Sequence, residues 1–157
     1  MKILLVLVTC ALPFTGIAQR APTPPKPKAV TLLHIEETAY LATERKYIIT
    51  SDSLVVRDES VGATDTLYTK RLTTSERRWL FASFDKTYLS AIQENYESPS
   101  TTGHDWHYRL AIYKGDALRV VSIYKAKVDC FYTFAQRFNL LVPEPYKLHY
   151  TAAYFKI

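Results

Sequence analysis

The chain has 157 residues, enough for one hydrophobic core and too few for two, with aromatic residues at 13% to fill it. Its formal charge of +5 sits at the front: setting aside Lys2, Arg20, Lys26 and Lys28 leaves 16 basic residues against 15 acidic ones, so the body of the chain gives no support to nucleic-acid binding. Cys10 lies in the N-terminal apolar run, and the single remaining cysteine, Cys130, rules out an internal disulfide for the rest.

Lys2, the apolar run Ile3 to Leu12, and the small residues Gly16 and Ala18 have the anatomy of a secretory signal peptide, with cleavage expected after Ala18. A membrane anchor needs ~20 apolar residues, and Pro13, Thr15 and Gly16 interrupt this run. Lipidation at Cys10 is disfavoured because Thr9 stands where a lipobox has a small residue. The Gly16-Ile17-Ala18-Gln19 ending resembles that of small proteins exported by the Bacteroidota. That resemblance implies a periplasmic or extracellular location, with no membrane span left after cleavage. Residues 19–29 follow as a tether. Pro22, Pro24, Pro25 and Pro27 fix φ and remove donors, which favours an extended polyproline-II spacer.

Residues 30–157 read as one α+β domain. Val30–Glu36, Arg45–Thr50, Leu54–Arg57 and Thr66–Arg71 are strand candidates from their β-branched and alternating content. Thr73 and Glu76 have the spacing of a capping box, and Leu80, Phe84, Tyr88 and Ile92 continue an apolar stripe at intervals of four. Trp106, Tyr108, Leu110 and Ile112 then alternate with His107, Arg109, Ala111 and Tyr113. Leu118, Val120, Ser122 and Tyr124 are taken as the matching inward set of the next strand, joined through a three-residue loop containing Gly115. Asp129 is placed as the cap of a second helix ending before Pro143, with Cys130 at the edge of its apolar stripe. Tyr146, Leu148, Tyr150 and Tyr154 suit a closing strand. The expected architecture is a mainly antiparallel sheet with two helices packed on one face.

Chemistry is thinly signalled. His104-Asp105-Trp106-His107 is the one cluster of ligand-type residues, yet alternation on a strand would separate its members, and it matches no zinc spacing. No Gly-x-Ser-x-Gly elbow is present. The leading reading is therefore a non-catalytic exported binding or envelope-accessory module, without cofactor or metal and expected to be monomeric. Small exported α+β domains of this design resemble inhibitor, immunity and envelope-accessory modules. The candidate surface is the outer face of the hairpin, with Asp105, His107, Arg109, Tyr113 and Arg119. Arg109 and Arg119 are expected to face each other there and to attract an anionic ligand or an acidic partner protein of the envelope. The alternative is a small hydrolase or metal-dependent enzyme in which His107 meets His149 or His34 and a carboxylate.

Overall fold

The computed structural model describes residues 28–39, 44–59, 65–98 and 106–155. The signal peptide, residues 19–27 of the tether, His104 and Asp105 lie outside these. Among the described residues, seven strands form one sheet: β1 (Leu32–Thr38), β2 (Glu44–Ile49), β3 (Ser53–Asp58), β4 (Asp65–Arg71), β5 (Asn95–Glu97), β6 (His107–Lys114) and β7 (Ala117–Tyr124). Their order across the sheet is β4-β3-β2-β1-β6-β7-β5, with every pairing antiparallel except β5 against β7. Two helices, α1 (Thr74–Asp85) and α2 (Asp129–Leu141), pack on one face. The fold is α+β.

Alternation explains which side chains meet the helices. Leu33 and Ile35 of β1, Tyr47 and Ile49 of β2, Leu54 and Val56 of β3, and Tyr108, Leu110 and Ile112 of β6 are all buried. Against them lie Leu80, Phe81 and Phe84 of α1 and Phe131, Phe134, Ala135 and Phe138 of α2. Phe134 sits at the hub, with ring centroids 5.9 Å from Phe81, 5.6 Å from Phe84 and 6.0 Å from Phe138. Each fully buried side chain of this size contributes roughly 1.5–3 kcal/mol.

The capping box forms as its spacing predicts. Thr73 Oγ1 accepts from the Glu76 amide at 3.2 Å, and Glu76 Oε2 accepts from the Thr73 amide at 2.8 Å. The Thr73 backbone amide, with help from Lys70 at 3.0 Å and the Thr73 hydroxyl, lowers the Glu76 carboxyl from 4.5 to about 2. A carboxyl held lower in the folded state contributes stability that is complete above its unfolded value and is lost as pH falls through the folded one. Glu76→Gln is therefore expected to match wild type least well near neutrality and to converge on it between about pH 4.5 and about pH 2. Urea midpoints measured across that range check this.

Four expectations need correction. First, α1 ends at Asp85 rather than continuing through Tyr88 and Ile92. The Phe84 carbonyl accepts from the Thr87 amide in a tight turn, and the buried Lys114 ammonium donates to the carbonyls of Phe84 and Thr87, so the helix end is closed here. Tyr88 is left 43% exposed. Second, the β6–β7 loop has two residues, Gly115 and Asp116, with Gly115 at φ 60° as a tight primed hairpin requires. Leu110 then faces Val121 and Tyr108 faces Ile123, so Val121 and Ile123 are the inward residues of β7. Third, Asp129 opens α2 as its first residue, pairing with Lys127 at 3.0 Å, while Val128 is the cap and makes no side-chain cap bond. Fourth, 146–154 forms no strand. Two 3-10 turns, Glu144–Tyr146 and Ala152–Phe155, flank the buried Leu148 and Tyr150. The Asn139 side chain takes both backbone groups of Leu148, at 2.8 and 2.9 Å, which a sheet ladder would otherwise use.

Candidate functional site

The sheet face opposite the helices carries a pattern that runs across the strands. Hydrogen-bond register aligns Thr69, Val55, Ile48, His34, Ala111 and Val120 in one row from β4 to β7. Leu32, Tyr113 and Leu118 form a shorter row beside it. On its other side run Arg57, Lys46, Glu36, Arg109 and Ser122. One band is therefore apolar and the next charged.

The charged band is largely self-compensated. Glu36 forms an ion pair with Lys46 at 3.5 Å and accepts from Arg109 at 3.3 Å, and Lys46 also reaches Glu59 at 3.2 Å. Within the apolar band, burial and the nearby Lys46 ammonium hold His34 below the ordinary histidine pKa, with Glu36 opposing. Its ring meets Tyr113 edge-on at 6.0 Å. The imidazole behaves there as part of the apolar strip.

His107, Arg109 and Tyr113 lie on this face as their alternation in β6 predicts. His107 stacks on Tyr124 at 4.1 Å. Arg119 does not join them, which overturns its place in the expected site. It stands opposite Ile112, on the helix side, donates to the Ile92 carbonyl and pairs with Glu94 at 2.9 Å. Arg109 faces Ser122 instead. The expected confrontation of two arginines is absent, so an anionic ligand has no such pair to meet.

A second constellation lies at the other end of the core, and it centres on Glu37. This carboxylate is fully buried, in phase with Leu33 and Ile35 on β1. It accepts from Tyr47 Oη at 2.8 Å, Tyr108 Oη at 2.8 Å and the His149 amide at 2.8 Å, and His149 Nδ1 lies 3.2 Å away. Burial first, and the Glu37 charge second, push both phenols well above the ordinary tyrosine range, so they remain donors. Trp106 stacks flat on the His149 ring, with centroids 4.0 Å apart and planes at 5°. With Nδ1 directed at Glu37, Nε2 is the free nitrogen of the ring. His149, Arg45, Lys147 and Thr151 line a cavity of about 320 Å³.

No protein-family model matches the chain, and no curated protein does.

The alternation of β1 held the signal for Glu37, because a carboxylate in phase with Leu33 and Ile35 must enter the core. Among the described histidines, His149 is the one paired with a carboxylate; His107 and His34 occupy the opposite face, four residues apart in register along the strand direction. Among the described residues, no group of three or more His, Cys, Asp or Glu is placed to hold a metal ion. Burial raises the Cys130 thiol pKa, which disfavours a reactive thiolate.

Proposed function

We propose that the chain is an exported, non-catalytic binding module of the cell envelope, with the helix-free sheet face as its contact surface for a partner protein. One observation carries this reading. A sheet covered by helices on one side presents on the other an apolar band across β3, β2, β1, β6 and β7, bordered along one side by charged residues. Val120 and Leu118, at its end, are 37% and 50% exposed. A contiguous apolar strip with a polar rim is the common anatomy of a protein-contact surface. The mixed, internally paired charges favour a protein over an anionic small molecule. Among the described residues, no helix is long and apolar enough to cross a membrane.

A photo-crosslinking residue at Val55 or Ala111, expressed in the native host, should trap a defined partner. The same residue at Leu140, which is 79% exposed on the helix side, should not. Identical products from both faces would overturn the reading.

The Glu37–His149 pair supports a second reading, a hydrolase in which His149 Nε2 takes a proton from water in the adjoining cavity.

A further inference from the structure

The two edges of the sheet are built differently. β4, at one edge, carries Asp65, Lys70 and Arg71, and its pairing with β3 shifts register at Val56/Arg57. Charges and a bulge are the usual devices that stop a bare edge from pairing with another chain. At the other edge β5 is only three residues long and covers only Ser122–Tyr124 of β7. The remainder of β7 has no bulge, and its one charged side chain, Arg119, is drawn to the helix side by the Ile92 carbonyl and Glu94.

Backbone direction identifies the groups left over. Ser122 N–H donates to the Glu94 carbonyl at 2.7 Å, and the Tyr124 carbonyl accepts from Ser98 at 3.1 Å. Both residues thus direct their main-chain groups toward β5. In an antiparallel pair this alternates along the strand, so Leu118 and Val120 direct their N–H and C=O to the same edge. Among the described residues no strand pairs with them there. Before Glu94 the chain turns to the helix side: Ile92 is buried in the core, and Arg119 holds its carbonyl. What remains beside β7 is a cavity of about 490 Å³ lined by Glu94, Asn95, Leu118, Arg119, Val120 and Ser122.

We propose that this open stretch of β7 receives an extended peptide segment of a partner protein, which adds a strand ahead of β5. Resting on the binding reading above, this names the form of the partner. Main-chain bonds to Leu118 and Val120 supply affinity, and apolar side chains at alternate positions of the peptide lie beside those two residues on the helix-free face. The chain's own N-terminal segment is a poor occupant. Lys28 and Ala117 line one cavity, so Lys28 lies near this edge. Yet Pro22, Pro24, Pro25 and Pro27 have no N–H to give to it. A second copy offers only the same two open residues in return.

The test uses the mature chain and a displayed library of random decapeptides, with enriched sequences synthesised for binding by fluorescence anisotropy. Enrichment of proline-poor peptides with alternating apolar residues is expected, and their addition should slow exchange of the Leu118 and Val120 amides. Val120→Pro removes the outward donor while leaving the β6 ladder intact, and should weaken binding more than tenfold. N-methylation of alternate peptide residues should do the same without touching the protein, so a folding defect in the variant cannot mask the answer. Binding that survives both changes would overturn the proposal, as would failure to enrich such peptides. A concentration-dependent dimer that protects the same amides without peptide would identify a second copy as the occupant and equally refute it. Crosslinking from Val55 that persists in Val120→Pro would leave the face reading standing while the strand proposal fails.

Discussion

Glu37→Ala is expected to lower folding stability by about 3–5 kcal/mol, the range found when one member of a buried charged network is removed. The loss comes from the donors left behind. Tyr47 Oη, Tyr108 Oη and the His149 amide all point at the Glu37 carboxylate, and the two phenols sit inside the core. Each buried donor without an acceptor costs about 1–3 kcal/mol. His149→Ala should cost far less, about 1 kcal/mol or under, because its side chain is 44% exposed and solvent screens the pair. Denaturant melts of the two variants distinguish a structural hub from a surface ion pair. Equal losses would show that His149 and not the tyrosines anchors the carboxylate. The same variants test the hydrolase reading, since a general base must affect turnover out of proportion to stability. His149→Ala that remains folded and leaves every detectable ester or amide hydrolysis unchanged removes that reading.

How much of this was legible depends on whether one strand sufficed to carry the signal. The four N-terminal strands and the start of α1 follow from local alternation and from the Thr73–Glu76 box, and they lie within two residues of the expected positions. The β6–β7 hairpin shows where local reading stops. On β7 both faces are apolar, with Leu118 and Val120 on one and Val121 and Ile123 on the other, so hydrophobicity alone cannot set the parity. The opposite parity would put Arg119 on the helix-free face beside Arg109, which is why the expectation of an anionic ligand fails with it. β5 is too short to have a period. The apolar band was invisible for a different reason: it is assembled from single residues of five strands, and only the strand order brings Val55, Ile48, His34, Ala111 and Val120 into line. The positions of His107, Arg109 and Tyr113 on the helix-free face follow from β6 alone, which alternates cleanly.

Tyr150→Ala is the other substitution expected to have a large effect, roughly 3–5 kcal/mol from loss of the ring alone. The alternation of Tyr146, Leu148 and Tyr150 resembles a strand, but the buried Tyr150 acts as a pin. Its hydroxyl accepts from the Val128 amide at 2.8 Å and donates to the Ala126 carbonyl at 2.7 Å, joining the C-terminal segment to the entry of α2. Its ring packs 4.4 Å from Phe131, 5.0 Å from Tyr108 and 5.3 Å from Tyr154. Tyr154 in turn donates to the Trp106 carbonyl, and Trp106 covers His149. One side chain thus links α2, β6 and the segment that closes over Glu37. Tyr150→Phe keeps the ring and removes only the hydroxyl, so it should cost about 1–3 kcal/mol through the Val128 amide left without its acceptor. If the segment is pinned as described, amide exchange at Leu148 and His149 should quicken in Tyr150→Ala more than at Leu33 or Ile49 in the sheet. Uniform quickening across the domain would mean that the ring serves the core as a whole, with no separate role in holding the C-terminal segment.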